Sequence, residues 1–325
     1  MPLQNLTRPQ WGGPQSDVDI HIEEHLGIVD GSFLAESQFA KYMNIRTLQG
    51  TNIIRLDRVG ATEVKGRKVG EALEPTPVRN DKLNLVVDTT LYARHEFDYF
   101  DLWTANPDLR REIAAEDGLA LATQFDSACI GQLQKCADFK APDHLKGAFH
   151  DGILLELDIA TGTAKANAEK LVQTHRQGLE QMIRRNLGNR VRSEGVTLVS
   201  PEVFSILLEH DKLMNVQFGA DAANSFVGGR VGYMNGIPVI ESARFALEAS
   251  TDNPLGADHN LTAEEIKRQM ITFIPSIALV GAQVQSITSR YYEEKYDFKW
   301  VLDTYQAYNI GQRRPDAVAV VAVAM

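Results

Sequence analysis

Between residues 52 and 97 the chain reads NIIRLDRVGATEVKGRKVGEALEPTPVRNDKLNLVVDTTLYARHEF. Two strand-like arms flank a charged, glycine-dotted middle. The outgoing arm, 53–59, alternates imperfectly. The returning arm, 83–93, alternates well: Leu85, Val87, Thr89 and Leu91 share one face, and Val86, Asp88, Thr90 and Tyr92 the other. Gly60, Gly66 and Gly70 punctuate the middle, while Pro75 and Pro77 remove backbone donors and hold their neighbours extended. So few apolar residues cannot form a core there, and the rest of the chain offers no obvious second layer. The expected support is another copy of the same chain. The middle mixes both charges: Arg55, Arg58, Lys65, Arg67, Lys68, Arg79 and Lys82 against Asp57, Glu63, Glu71, Glu74 and Asp81. That pattern suits ion pairing with a neighbour better than phosphate binding. The candidate inter-subunit residues are therefore Arg55, Arg58, Lys65, Arg67, Lys68, Glu71, Glu74, Arg79 and Lys82.

At 325 residues, 44% hydrophobic and 23% charged, the chain has the composition of a folded protein with one large domain or two ordinary ones. A net charge of -10 argues against a dedicated nucleic-acid reader, which would display a basic surface, but does not exclude a protein that merely surrounds nucleic acid. Cys129 and Cys136 sit seven apart in a helical pattern, too far to bond along one helix, and read as buried free thiols. The polar start shows no secretory signal, and the apolar tail 317–325 is too short to span a membrane.

Residues 1–25 read as an extended arm. A short helix is expected over 33–42, capped by Ser32. A long helix should begin at Asn106-Pro107-Asp108 and run to about residue 137, with Leu121, Phe125, Cys129, Leu133 and Cys136 as its buried stripe. Gly118 and Gly131 weaken it and permit bending or a close approach. Residues 138–162 read as irregular. A second helix is expected over 164–187, closed by Gly188, with Ala168, Leu171, Val172, His175, Leu179, Met182, Ile183 and Leu187 buried. His175 on that stripe reads as a packed histidine. Arg184, Arg185 and Arg190 read as charge compensation at the helix end, with a phosphate site as the alternative. A strand over 196–199 leads through Ser200-Pro201 into a helix, and Asn235-Gly236 marks a tight hairpin turn. After residue 264 the chain turns largely β and rich in tyrosine.

Enzyme signatures are absent. No Walker loop, GxGxxG after a strand, HExxH or serine elbow occurs. His21 and His25 share a helical spacing without an implied third ligand, and His144 and His150 lie in irregular chain beside Asp143 and Asp151. Acidic pairs such as Glu116-Asp117 point to different faces and read as solvated or inter-subunit charge. No catalytic, cofactor-binding or metal residue is assigned.

The order of segments carries a resemblance. A polar arm, a long charged hairpin, a helix opening PDLRREIA, a mixed α/β region ending NGIPVIES after SPEVFSILL, and a β return ending YQAYNIGQRRPDAVAVV follow one another. The chain resembles the major capsid proteins of tailed bacteriophages with the HK97-like fold, most of all those of short-tailed, T7-like phages. The resemblance implies an α+β fold with an N-terminal arm (1–30), a short helix or linker (31–49), an extended hairpin or E-loop (50–97), a peripheral domain with the spine helix (98–160), an axial α/β domain (161–250), and a return to the peripheral domain whose C-terminal strands complete its sheet (251–325). It implies self-assembly of many copies, as hexamers and pentamers, into an icosahedral shell around double-stranded DNA that is contained and not read. It also implies a separate scaffolding protein, a portal, room for a decoration protein, no membrane, no cofactor, and assembly in the host bacterial cytoplasm. Some such shells crosslink a hairpin lysine to a neighbour. Lys65, Lys68 and Lys82 are available, but no pattern identifies a partner, and no crosslink is expected. The contrasting reading is a soluble homo-oligomeric α/β enzyme with a site built from scattered loop residues.

Overall fold

The computed structural model describes residues 17–60, 62–73, 75–98, 107–210, 213, 232–294 and 299–324. In chain order its elements are helix α1 (Asp17–Glu36), strands β1 (Ile45–Thr47), β2 (Ile53–Val59), β3 (Asn80–Val86) and β4 (Leu91–Asp98), helix α2 (Pro107–Lys135), β5 (Ile153–Asp158), helices α3 (Ala164–Met182) and α4 (Gly188–Glu194), β6 (Val196–Val199), α5 (Pro201–Leu207), then β7 (Tyr233–Met234), β8 (Ile237–Glu241), β9 (Arg268–Phe273), β10 (Leu279–Glu294), β11 (Lys299–Gln312) and β12 (Val318–Ala324).

Helix α2 organises the chain. Its 29 residues make a rod of about 43 Å. The expected stripe, Leu121, Phe125, Cys129, Leu133 and Cys136, is buried throughout, and both thiols are free. The cap expected of Asn106 lies outside the described residues. Helix α1 crosses α2 at Gly118, where a Cβ would come within 2.6 Å of the Val29 carbonyl. Only glycine allows that approach. Beside it, Ser32 Oγ donates to the Ala115 carbonyl at 2.9 Å. Asp126 of α2 then anchors the chain as it leaves α1, accepting from Ser37 Oγ and the backbone N–H groups of Gln38 and Phe39 at 2.7, 2.8 and 3.2 Å.

These contacts correct two expectations. Residues 17–25 are helical, not extended, and there is no separate helix over 33–42 capped by Ser32. Gly27 and Gly31 hide α1 from propensity arguments; packing on α2 compensates. Residues 1–16 of the expected arm lie outside the described residues.

α1 also reaches the sheet. His25 Nε2 lies 3.3 Å from Thr304 Oγ1 and 3.8 Å from Asp117 Oδ2, and His95 Nε2 lies 2.7 Å from Asp117 Oδ1. Asp117 is only 4% exposed. It is a buried acceptor within the subunit, not the solvated or inter-subunit charge expected of the Glu116-Asp117 pair. Burial pushes the His25 pKa down against the opposing pull of Asp117.

Two sheets flank α2: a four-stranded one in the order β1-β10-β11-β4, and a six-stranded one in the order β5-β12-β9-β6-β8-β7. In the second, β12 lies between β5 and β9, parallel to β5 and antiparallel to β9. Leu198, Ile271 and Val320 pack in the cluster that holds the α2 stripe, while Val199, Met270 and Val321 pack with Leu171 of α3 and Val203 and Leu207 of α5. Cover on both faces explains why the tail is apolar without alternation.

β5 lies inside the stretch expected to be irregular. The 251–325 return also divides: β10 and β11 form the four-stranded sheet, whereas β9 and β12 join the six-stranded sheet with β6 and β8. Arg268, 5% exposed, ties β9 to the end of α2 through Asp138 Oδ1 and Oδ2 at 2.6 and 2.7 Å and the Gln134 carbonyl at 2.7 Å.

The second helix departs from expectation at its end. It breaks at Asn186, whose φ is 62°, and resumes as α4 instead of closing at Gly188. Ile183, expected on the buried stripe, is 41% exposed. Ser200 caps α5 as expected, accepting from the Val203 N–H at 3.3 Å. Asn235 and Gly236, with φ of 52° and 82°, turn β7 into β8.

Candidate functional site

The hairpin is built on an ordinary antiparallel ladder. β2 and β3 pair from Ile53↔Val86 to Val59↔Asn80. At its root, Ile54 and Val87 pack on Ala282 of β10 and Ala307 of β11. The chain thus supplies a second layer for the root, contrary to expectation. The returning arm is also not one strand. β3 ends at Val86, and β4 begins at Leu91 and pairs with β11. The two-residue alternation nonetheless survives the break: Leu85, Val87, Thr89 and Leu91 turn inward, and Val86, Asp88, Thr90 and Tyr92 are exposed.

Beyond the ladder, every described residue from 62 to 79 except Thr76 is exposed. Val64, Val69, Leu73 and Val78 are 93%, 106%, 77% and 80% exposed. A turn at Gly70, with φ of 97°, is closed by the Lys68 N–H donating to Glu71 Oε2 at 3.0 Å and the Glu71 N–H donating to the Lys68 carbonyl at 3.2 Å.

Of the candidate assembly residues, Arg55, Lys65, Arg67, Lys68, Glu71, Arg79 and Lys82 are exposed along this hairpin. Glu74 lies outside the described residues. Arg58 departs from the set. It is half-buried and turned into its own subunit, donating to the Gln312 carbonyl at 2.9 Å. Its guanidinium lies 5.4 and 5.9 Å from the ring centres of Phe139 and Phe149. Burial pushes its pKa down, with Asp81 and Asp316 opposing. Charge counting missed the four apolar tip residues. Their signal is present in the sequence: bulky aliphatic side chains in a run that has nothing of its own to bury them.

Such a surface does no chemistry by itself. It can bury aliphatic groups and pair charges against a partner, with glycine allowing adjustment at the turn.

No protein-family model and no curated protein matches the sequence. Solved structures do. The asymmetric unit of the bacteriophage PhiM1 mature capsid is similar with a TM-score of 0.81 and 37% identity, over 89% of this chain and 87% of that one. The capsid of cyanophage P-SCSP1u has the same fold, with a TM-score of 0.76 and 16% identity over 89% and 88% of the two chains. A virus-like particle from Pyrococcus furiosus is more distant, with a TM-score of 0.54 and 13% identity over 93% and 99%.

Proposed function

The chain belongs to the major capsid proteins of bacteriophages, of HK97-like fold, and from that premise we propose how it closes a shell. It is a structural protein that associates with copies of itself in the virion capsid. In our reading residues 50–97 act as the E-loop, with their tip lying across a neighbouring copy. α2 serves as the spine of the peripheral domain, and the α/β region around α3 serves as the axial domain, meeting its equivalents in hexamers and pentamers. The icosahedral shell encloses double-stranded DNA without reading it, and assembly in the host cytoplasm uses a separate scaffolding protein and a portal, with room for a decoration protein outside. The kinship to short-tailed, T7-like phages belongs to this proposal. We assign the chain no catalytic step.

The observation that carries the reading is the projecting tip with its four exposed aliphatic side chains. Burying such groups yields roughly 25 cal/mol per Å². Each contact can be modest because identical contacts repeat around a closed shell.

Deleting residues 60–80 tests it. The expected product is a folded, soluble subunit with an unchanged circular dichroism spectrum that forms no regular shells by electron microscopy. Normal shells from the deletion would overturn the role of the tip.

A further inference from the structure

A cleft of about 560 Å³ opens beside the hairpin root, walled by residues 56–59 of β2, the 147–149 loop, the break between α3 and α4, and residues 313–314 after β11. Five guanidinium side chains line it, Arg58, Arg185, Arg190, Arg313 and Arg314, against the single carboxylate of Asp57. Part of this charge is spent inside the subunit. Arg314 donates to Asp316 Oδ1 at 3.0 Å and to the Ala148 carbonyl at 2.7 Å, and Arg185 reaches the Asp316 carbonyl at 3.3 Å. Arg58 is spent in part: it donates to the Gln312 carbonyl at 2.9 Å, with Asp81 and Asp316 close enough to act on its charge, while its Nε is buried without a partner among the described residues. Arg190 and Arg313 are exposed, and neither has an ion-pair partner among the described residues. The guanidinium carbons of Arg58 and Arg314 lie 5.9 and 5.1 Å from the centre of the Phe149 ring.

We propose that this cleft receives a carboxylate-bearing segment of a neighbouring copy. The inference rests on the capsid reading above. Three observations favour carboxylates of another copy over packaged DNA. The chain carries 43 acidic residues against 33 basic ones, so every neighbour brings carboxylates in surplus. The cavity admits a few side chains, whereas a duplex could only pass over its mouth. The cleft also adjoins β2, the strand that continues into the projecting tip, so one neighbour can meet both surfaces. Guanidinium forks bind carboxylates through paired N–H···O bonds, which fixes register as well as adding attraction.

The test uses the full chain under conditions in which the wild type assembles. Arg190→Glu with Arg313→Glu should reduce the yield of closed shells tenfold or more, while the circular dichroism spectrum and thermal midpoint of the unassembled subunit stay unchanged. Arg190→Lys with Arg313→Lys should retain shells. In shells mixed from ¹⁴N- and ¹⁵N-labelled subunits of that variant, carbodiimide coupling should join the introduced amines to Asp or Glu peptides of the other isotope. Unchanged shell yield for the charge reversal, or coupling only within one isotope, overturns the proposal. So does a reversal variant that forms normal shells but packages less DNA, which would make the cleft a phosphate site. A wild type that forms no shells under any ionic condition overturns the capsid reading itself, and the cleft proposal with it.

Discussion

His175 shows how a residue's partners decide its charge. Its Nδ1 accepts from Asn235 Nδ2 at 2.9 Å, so the ring proton sits on Nε2 and is donated to Thr197 Oγ1 at 3.0 Å. Thr197 Oγ1 in turn lies 3.1 Å from Thr272 Oγ1. Among these partners no carboxylate faces the imidazole, and burial lowers its pKa to about 4. In the unfolded chain a histidine takes up its proton near pH 6.5. The unfolded state therefore binds more protons between those values, and the contribution of neutral His175 is complete above pH 6.5 and is lost as pH falls toward 4. The full effect is about 3 kcal/mol. Urea unfolding of the unassembled subunit should lose stability more steeply between pH 6.5 and 4.5 in the wild type than in His175→Gln; parallel slopes would refute this. The sequence placed His175 correctly on a buried stripe because helical periodicity is a local property. It could not show the polar partners, since Thr197 and Thr272 come from strands 22 and 97 residues away (197 minus 175; 272 minus 175).

At the scale of elements, the legible parts were those encoded in short windows. The α2 stripe, the Ser200 cap and the Asn235-Gly236 turn all follow from residues within a few positions of one another. The parts that misled depend on distant chain. The start of α1 looked like a tail because it follows a stretch rich in Gln, Pro and Gly, while the contact that holds the helix, on α2 at Gly118, lies far along the chain. β5 looked irregular because its pairing partner, β12, lies at the far end of the sequence. The break at Asn186 was hidden because Arg184 and Arg185 suit a helix that simply ends. Asn186 sits at φ 62°, a left-handed conformation that asparagine tolerates and branched residues resist. Asn186→Gly should keep subunit stability within about 0.5 kcal/mol, and Asn186→Val should cost about 1–2 kcal/mol. Denaturant midpoints at constant m-value measure both. Equal midpoints would mean that the break is not held by this residue's conformation.

For the whole molecule, the hairpin separates into a root packed on the subunit and a tip whose described residues from 62 to 79, Thr76 apart, are exposed. The root buries Ile54 and Val87 on the subunit's own sheet, so the direction in which the hairpin leaves is fixed before assembly. The tip offers two kinds of attraction that respond differently to salt. Charge pairs at an exposed interface are screened over about 10 Å at 0.1 M ionic strength. Burial of aliphatic groups is not screened, and salting-out ions strengthen it. The sequence pointed to Arg67 and Lys68; the structure adds Val69 and Leu73 beside them, 106% and 77% exposed. If aliphatic burial dominates, Val69→Asp with Leu73→Asp should abolish regular shells at both about 0.05 and about 0.5 M salt, roughly a third of and three times the physiological ionic strength. Arg67→Glu with Lys68→Glu should then impair assembly mainly at the lower salt and recover at the higher, because screening removes the repulsion these substitutions introduce. Light scattering during assembly, followed by electron microscopy of the products, reads both. The reverse pattern, with the aspartate variant assembling and the glutamate variant failing at every salt, would place the attraction of the tip in its charges.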